Sequence, residues 1–357
     1  MSGRQQEFSG TIAVREGYRF DEKKLSAWME ANVANFCGPM QVEQFKGGQS
    51  NPTFRLLTPS KKYVLRKKPA GLLAKSAHAV DREYRVITAL HAINFPVART
   101  HGFCADENII GTPFYVMDLV DGRINWDATF PEVAKPERPE YFDAMNATLA
   151  QLHTIDPASL GLTDFGKAGN YFVRQIGRWS KQYLADEIAG RVPDMERLIE
   201  WLPLNVPPGD ETSVVHGDFR CDNIIFHPTE PRIVAVLDWE LSTLGHPLAD
   251  FSYHLMIYRI PSIGTSGLLG VDLAAHNIPS EAEYIAAYCR RTGRSGGIEN
   301  IDFYLAYNLF RMAAIVHGIR ARMARGNAAS EHAKKLSAAV EPLAQIAWQQ
   351  ALKAQQR

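Results

Sequence analysis

Apolar residues change from helical to strand-like spacing within the first third of the chain. Residues 21–33 repeat an apolar side chain every three or four positions, which predicts a helix. Short apolar runs at 42–45, 53–57 and 63–66 follow, and segments rich in Gly, Pro, Ser, Asn and Lys separate them. Runs bounded in this way predict two successive antiparallel hairpins.

A second amphipathic helix separates these strands from the next two. Helical spacing returns at 75–93, and strand-like runs follow at 98–104 and 113–120. A doubly wound parallel sheet needs a helix between successive strands, so the order strand, strand, strand, helix, strand, strand excludes it. The order instead predicts an antiparallel sheet that carries one helix.

The chain beyond Gly122 has a mainly helical pattern, interrupted by a small β insert and by a Gly- and Ser-rich loop at 262–270. A length of 357 residues exceeds one ordinary core. We therefore predict an α+β protein with an N-terminal lobe of residues 1–121 and a larger C-terminal lobe of residues 122–357. The predicted C-terminal elements are helices at 140–154, 169–185, 194–201, 248–257, 281–292, 302–324 and 332–354, and strands at 213–216, 224–227 and 232–237.

Composition removes several classes of function. Lys and Arg number 39 and Asp and Glu number 39, so overall charge does not favour nucleic acid or an anionic membrane as a partner. No stretch approaches the roughly 20 apolar residues that span a bilayer, and the first residues lack a secretory signal, so a cytoplasmic location is expected. The four cysteines are widely separated, which predicts reduced, structural thiols. The oligomeric state stays open.

Polar residues that suit phosphoryl transfer cluster in two neighbouring segments. Residues 216–223 read HGDFRCDN and residues 236–240 read VLDWE, with a predicted hairpin between them. Mg²⁺ prefers oxygen ligands and leaves several positions to phosphates and water, a demand that Asn223 and Asp238 match. Asp218 would then accept the proton of an attacking hydroxyl.

These two segments resemble the catalytic loop and the metal-binding segment of the aminoglycoside phosphotransferase family, which has a protein-kinase-like fold. The resemblance covers nearly the whole chain and is greatest to the phosphotransferase-like domain found free in bacteria and fused to acyl-CoA dehydrogenases in animals. The family implies a small antiparallel N-terminal lobe with one helix and a larger, mainly helical C-terminal lobe. The segments that carry the resemblance are VLRKKPAGLLAKSAHAVDREYRV, GTPFYVMDLVDGR, HGDFRCDN and AVLDWELSTLGHPLADF.

The resemblance assigns roles to the polar residues. Asp218 resembles the catalytic aspartate, and Asn223 and Asp238 resemble the metal ligands. Arg66 stands where the family usually has a lysine on the third strand, and Glu83 resembles its ion-pair partner. Lys67 would replace Arg66 if the register slipped by one residue, although alternation points the two side chains to opposite faces.

The remaining expected contacts concern the nucleotide, ATP. The loop that contains Gly47, Gly48, Ser50 and Asn51 would cover the phosphates with backbone N–H groups and a hydroxyl. The connector at 115–119 would bind the adenine edge through its backbone, with Met117 beside the entrance and Leu119 at its end. Asp250 resembles a buried aspartate that fixes the catalytic loop.

The sequence predicts an acceptor other than the aminoglycoside that the family name suggests. An aminoglycoside is a polycation, whereas the helices that would line the acceptor site carry basic residues: Arg174, Arg178, Lys181, Arg311, His317, Arg320 and Arg322. We therefore expect an ATP- and Mg²⁺-dependent enzyme that phosphorylates a hydroxyl of a small, anionic molecule, a hydroxy acid or its CoA thioester. A non-catalytic nucleotide-binding scaffold linked to fatty-acid oxidation is the alternative. A metallohydrolase built on His216, Asp218, Asp238 and His246 is a third.

Overall fold

Six antiparallel strands form the sheet of the N-terminal region in the computed structural model, which describes residues 10–46, 51–69, 79–261, 267–326 and 331–356. The strand order is β1-β2-β3-β4-β6-β5, and every neighbouring pair is antiparallel. The predicted antiparallel sheet is therefore confirmed. Its strands are β1 (Thr11–Ile12), β2 (Gln41–Phe45), β3 (Thr53–Leu57), β4 (Lys62–Lys67), β5 (Thr100–Cys104) and β6 (Phe114–Asp118).

Alternation along the strands gives this sheet two different faces. Phe54 pairs with Leu65 and Leu56 pairs with Tyr63 across β3 and β4, so these four side chains share one face. Helix α1 (Glu22–Asn32) packs on that face and completes an apolar core. The opposite face receives helix α2 (Val80–Ala92), and the side chains left between them line the cavity described below.

The chain divides into two units, each described here separately. Unit 1 comprises Met1–Ala144, Ala158–Leu162 and Arg220–Ser242, and unit 2 comprises Met145–Pro157, Thr163–Phe219 and Thr243–Arg357. The sheet lies in unit 1, together with a hairpin of β8 (Ile224–Phe226) and β9 (Ile233–Val236). The functional boundary expected at residues 121 and 122 stays a prediction.

Unit 2 is mainly helical. The longest of its described helices, α10 (Ile301–Ala324), is buried around most of its surface because its sequence is apolar on nearly every side. Beyond α2, the described α-helices are α3 (Glu107–Ile110) in unit 1, α4 (Arg138–Thr154), which begins in unit 1 and ends in unit 2, and, in unit 2, α5 (Tyr171–Ala185), α6 (Pro193–Leu204), α7 (Pro247–Leu255), α8 (Leu273–His276), α9 (Glu281–Thr292), α10 (Ile301–Ala324), α11 (Glu331–Ser337) and α12 (Val340–Gln355). None of the described helices is both long enough and apolar enough to cross a bilayer.

Three local differences from the predicted elements have physical causes. The single helix expected at 332–354 is two helices, because Pro342 has no N–H to donate to the carbonyl of Ala338. The strand expected at 213–216, β7 (Ser213–Val215), does not join the β8–β9 hairpin. It pairs with β10 (Thr243–Gly245), a strand too short for its apolar pattern to be recognised.

Candidate active site

A cavity of about 280 Å³ lies within unit 1, against the sheet face that α1 does not cover. Its walls are mostly apolar, and its polar groups include Arg66, Asn223 and Asp238. The volume is close to the lower end of the range found for small-molecule sites, roughly 300–1,000 Å³. Apolar wall residues are Val64, Ile87, Met117, Leu119, Val120, Ile124, Ile225, Val236 and Trp239.

Strand register decides which basic residue faces this cavity. Val64 lies opposite Met117, and Arg66 lies opposite Tyr115, so these side chains point to the cavity side of the sheet. Lys67 points to the other side, where its amine lies 5.4 Å from the ring centre of Phe20. Arg66, and not Lys67, is therefore the basic residue of β4 that faces the cavity, and its equivalence to the family's third-strand lysine stays a prediction.

Arg66 connects two carboxylates across the cavity wall. Its Nε lies 2.8 Å from Oε2 of Glu83 on α2, and its Nη2 lies 2.5 Å from Oδ1 of Asp238. Glu240 contributes a third carboxylate at 3.8 Å. Burial opposes the charge of the guanidinium, but Glu83 and Asp238 outweigh this effect and raise the pKa of Arg66. Arg66 is thus a fixed positive charge at the polar end of an apolar cavity.

Glu83 binds Arg66 on the side away from the cavity. It is almost fully buried, and it accepts hydrogen bonds from Asn51 Nδ2 at 2.6 Å and from the Tyr115 hydroxyl at 3.0 Å. Neither Asn51 nor Glu83 lines the cavity. Asn51 binds Glu83 and Glu83 binds Arg66, so this chain of contacts fixes the direction of the guanidinium in the cavity.

Asn223 and Asp238 reach the cavity from the two ends of the β8–β9 hairpin. Asn223 ends a 3₁₀ turn before β8, and Asp238 follows β9, while the Leu237 N–H donates to the Asn223 carbonyl at 2.8 Å. Asp238 has a left-handed backbone, with φ of +65°. Non-glycine residues rarely adopt this conformation, and it occurs often at functional sites.

The donor set of this hairpin fits magnesium. Asn223 and Asp238 offer one amide and one carboxylate oxygen toward the same cavity. The described part of the chain contains no group of three or more His, Cys, Asp and Glu side chains that could hold a metal ion. A site with two protein oxygens leaves the other positions to phosphate and water, as Mg²⁺ prefers.

Unit 2 contains Asp218 on a loop that follows β7. Gly217 has a φ of +84°, a conformation that suits glycine and allows the sharp turn before Asp218. Asp250 on α7 accepts the N–H of His216 at 2.6 Å and the N–H of Gly217 at 2.8 Å. Asp250 therefore fixes the backbone of the loop that carries Asp218.

The ionised state of Asp250 is stabilised by its partners. Burial alone would raise the pKa of Asp250. The hydrogen bond from His153 at 3.2 Å, the backbone hydrogen bond from His216 and the electrostatic attraction of both histidines hold this pKa below its usual range. A charged carboxylate accepts stronger hydrogen bonds than a neutral one. The loop is thus held by two charge-assisted backbone contacts.

Asp250→Ala is expected to lower the free energy of unfolding by about 3–5 kcal/mol, because it leaves two buried N–H groups without an acceptor. Urea unfolding measures this change. Asp194→Ala is the matched control, since Asp194 forms a surface pair with Arg197 at 2.9 Å and should cost no more than about 1 kcal/mol. Equal losses in both variants would contradict the role given to Asp250.

The predicted site residues fall into four groups, of which the first is Asn51 and Glu83, buried behind Arg66 and outside the cavity lining. Gly47, Gly48 and Ser50 lie outside the described residues. Arg66, Met117, Leu119, Asn223 and Asp238 line the cavity of unit 1, whereas Asp218 belongs to unit 2. Their roles in binding and catalysis stay predictions.

The two histidines of the metallohydrolase hypothesis already have partners. His216 Nδ1 accepts the N–H of Asp218 at 3.1 Å, and His246 Nδ1 accepts the N–H of Leu248 at 3.1 Å. Burial lowers the pKa of His246 to about 4. His246 is the N-cap of α7, which favours a structural role.

The sequence interpretation missed several cavity residues, among them Val120, Trp126 and Asp222. Val120 follows the expected connector by one residue. The Asp118 N–H donates to the Arg99 carbonyl at 2.8 Å, and the Leu119 N–H donates to the Lys62 carbonyl at 3.3 Å. In the described part of the chain, the Val120 N–H donates to no backbone carbonyl. Val120 therefore lines the cavity just after the expected connector, with an N–H that donates to no backbone carbonyl of the described residues.

Three of the seven basic residues expected to face the acceptor contact other groups of unit 2. Arg320 pairs with Glu341, His317 contacts the Gly190 carbonyl at 2.8 Å, and Arg174 donates to the Lys167 carbonyl. Arg311 differs, because its Nη2 donates to the Gly217 carbonyl at 2.9 Å, next to Asp218. Arg311 is therefore the residue of this set that contacts the loop of Asp218.

Comparison with known proteins identifies the family. Residues 41–304 match the Phosphotransferase enzyme family. The chain is 45% identical over 345 residues to acyl-CoA dehydrogenase family member 11 of Gallus gallus, covering 94% of this chain and 44% of that protein. The chain thus spans less than half the length of this curated relative.

Solved structures of phosphotransferases and of a kinase are similar to this chain. The crystal structure of a putative aminoglycoside phosphotransferase from Ralstonia eutropha JMP134 is 48% identical, has a TM-score of 0.86, and matches over 94% of this chain and 99% of that one. Choline kinase from Cryptosporidium parvum Iowa II is 11% identical, with a TM-score of 0.64 over 94% and 96%. The ADP-bound aminoglycoside phosphotransferase APH(2'')-Ib is 15% identical, with a TM-score of 0.56 over 93% and 99%.

These matches confirm the expected kinase-like α+β fold and the resemblance to the region shared with acyl-CoA dehydrogenase family members. The family match covers most of the chain, and the curated relative matches nearly all of it. The chain therefore belongs to the phosphotransferase enzyme family.

Proposed function

We propose that this protein transfers the γ-phosphoryl group of ATP to a hydroxyl of a small molecule, with Mg²⁺ as cofactor. The observation that carries the proposal is Arg66, which joins Glu83 and Asp238 at the polar end of an otherwise apolar cavity. An apolar pocket suits a purine base, and a fixed guanidinium suits phosphate. ADP in the related fold of APH(2'')-Ib supports a nucleotide in this cavity.

Each residue has a role in the proposed reaction. The Val120 N–H binds the adenine edge, and Arg66 binds phosphate oxygens. The acceptor oxygen forms a bond to the γ-phosphorus while the bond from that phosphorus to the β–γ bridging oxygen breaks, and ADP leaves. Asp218 accepts the hydroxyl proton late in the transfer. Asn223 and Asp238 would hold Mg²⁺, which neutralises charge on the phosphates.

We further propose an anionic acceptor, a hydroxy acid or its CoA thioester. Arg311 is almost fully buried, and the carboxylate of Asp218 is among the groups that stabilise its positive charge. A buried cation of this kind favours a negatively charged ligand or neighbour. The similarity to acyl-CoA dehydrogenase family member 11 suggests the thioester, since that relative's name refers to acyl-CoA.

Parallel kinetic assays test this proposal. The purified chain is supplied with ATP and Mg²⁺ and with hydroxyacyl-CoA thioesters, free hydroxy acids or aminoglycosides at equal concentrations. We expect ADP and a phosphorylated acceptor only with the first two classes. Turnover with aminoglycosides alone would reject the anionic acceptor, and no product with any acceptor would reject the phosphotransferase.

The greater length of acyl-CoA dehydrogenase family member 11 favours a nucleotide-binding scaffold as the alternative function. A chain that matches 44% of an acyl-CoA dehydrogenase family member could serve as a nucleotide-binding scaffold for fatty-acid oxidation. Both hypotheses expect ATP to bind. Only the enzyme forms a phosphorylated product, so product formation separates them.

A further inference from the structure

Helix α7 presents two polar side chains to the loop that carries Asp218. Asp250 and Tyr253 are three residues apart, so they lie on the same face of the helix. Asp250 binds the N–H groups of His216 and Gly217, and the Tyr253 hydroxyl donates to Oδ1 of the next residue, Asp218. One helix face therefore contacts three successive loop residues, and Tyr253 contributes a contact to the Asp218 carboxylate.

Arg311 on α10 contacts both the Tyr253 ring and the loop that carries Asp218. Its guanidinium carbon lies 5.1 Å from the ring centre of Tyr253 and 5.9 Å from that of Trp179, distances at which a cation attracts an aromatic face. The Nη2 atom of Arg311 also donates to the Gly217 carbonyl at 2.9 Å. Both the ring of Tyr253 and the loop before Asp218 are thus held by one buried cation.

We propose that Tyr253 is a positioning residue, which fixes the orientation of the Asp218 carboxylate for proton transfer from the acceptor. The inference rests on the proposed function, because it gives Asp218 the role of proton acceptor. A carboxylate turns about the bond to its Cβ unless a directional contact holds it. The hydrogen bond from a rigid, nearly buried tyrosine provides that contact.

Position matters for the rate of this step. A proton acceptor must lie within hydrogen-bond reach of the proton that it receives, and small displacements of catalytic groups are costly. A hydrogen bond to a charged group is stronger than one between neutral groups. Loss of the Tyr253 hydroxyl should therefore lower turnover more than it lowers binding.

Tyr253→Phe removes the hydroxyl and keeps the ring that packs against Arg311. We expect kcat for the acceptor to fall about 10- to 100-fold, while KM for ATP and the affinity for Mg²⁺-ADP stay within about twofold of the wild type. Steady-state kinetics and calorimetry measure these quantities. A purely structural role would instead change binding and the melting temperature together.

Tyr258→Phe is the matched control. Tyr258 is also nearly buried and lies in the turn after α7, and its hydroxyl donates to the Pro279 carbonyl at 2.9 Å, so the substitution removes one hydrogen bond of similar burial. We expect its kcat to remain within about twofold of the wild type. Equal kcat losses in the two variants would overturn the inference, as would a wild-type kcat in Tyr253→Phe.

Crystal structures of the wild type and of Tyr253→Phe provide a measurement that does not depend on activity. We expect the Asp218 carboxylate to rotate or to occupy several orientations in the variant. An unchanged carboxylate would overturn the inference even if no acceptor were phosphorylated. A rotated carboxylate in a protein without phosphotransferase activity would support the positioning contact and reject the proposed function.

Discussion

Asp218→Asn is expected to lower kcat about 10²- to 10⁴-fold, the range found when a general base is removed. The amide keeps the shape of the carboxylate and can still accept the Tyr253 hydrogen bond, so the loop should keep its conformation. An amide cannot take the proton of the acceptor hydroxyl. The measurement is the initial rate of ADP formation with the best acceptor.

Binding should be retained in this variant. The cavity that we assign to the nucleotide lies in unit 1, and Asp218 is not among its wall residues. Calorimetric titration with Mg²⁺-ADP should therefore give an affinity within about threefold of the wild type. Asp81→Asn, at an exposed carboxylate on α2, controls for the loss of a negative charge and should leave kcat unchanged. A fully active Asp218→Asn would remove the basis of the proposed reaction.

Strand alternation explains which side chains of β4 and β6 face the cavity. Once β4 is recognised as a strand, Val64 and Arg66 must share a face, and Lys67 must take the other. The same period on β6 puts Tyr115 and Met117 on one face. Local pattern was therefore sufficient for this wall, and it could also have identified Val64 and Tyr115 as cavity residues.

Short elements were harder to recognise because they hold few apolar positions. The apolar pattern predicts strands at 98–104 and 113–120 and no element between them, whereas α3 begins at Glu107. The capping signals were present in the sequence, since Asp106 accepts the N–H of Asn108 at 2.9 Å and Gly111 ends the helix with a φ of +85°. In contrast, β10 depends on pairing with β7, which no local signal reveals.

Contacts between distant residues could not be derived from the sequence. Arg66 and Asp238 are 172 residues apart, and Tyr253 and Asp218 are 35 apart. Charge and spacing identify each residue as a candidate but give no distance between them. The resemblance to a family supplied the Arg66–Glu83 pair, whereas the contact of Arg66 with Asp238 and the role of Tyr253 required coordinates.

Asp238→Asn is expected to abolish the effect of Mg²⁺ on nucleotide affinity. In the wild type, adding Mg²⁺ to a titration with ATP should strengthen binding, because Asp238 and the phosphates share the ion. The amide is a weaker ligand for a hard cation than the carboxylate is. We expect nucleotide affinity in the presence of Mg²⁺ to fall at least about 100-fold, or about 2.7 kcal/mol.

Asparagine is the appropriate substitute at this position. Asp238 has a φ of +65°, and Asn tolerates the left-handed region better than Ala does, so the variant removes the charge without adding backbone strain. Arg66 keeps its contact with Glu83 at 2.8 Å. The guanidinium therefore stays in place for phosphate, and affinity in EDTA should equal or exceed that of the wild type.

Asp118→Asn separates the loss of the metal ligand from a general loss of negative charge in the cavity. Asp118 also lines the cavity, but it pairs with Lys61 at 2.7 Å and with His101 at 2.6 Å. The ratio of nucleotide affinity with Mg²⁺ to that in EDTA should remain at the wild-type value in Asp118→Asn and approach one in Asp238→Asn. A wild-type ratio in Asp238→Asn would mean that the metal, if bound, is held by other residues, and the assignment of Asp238 would then fail.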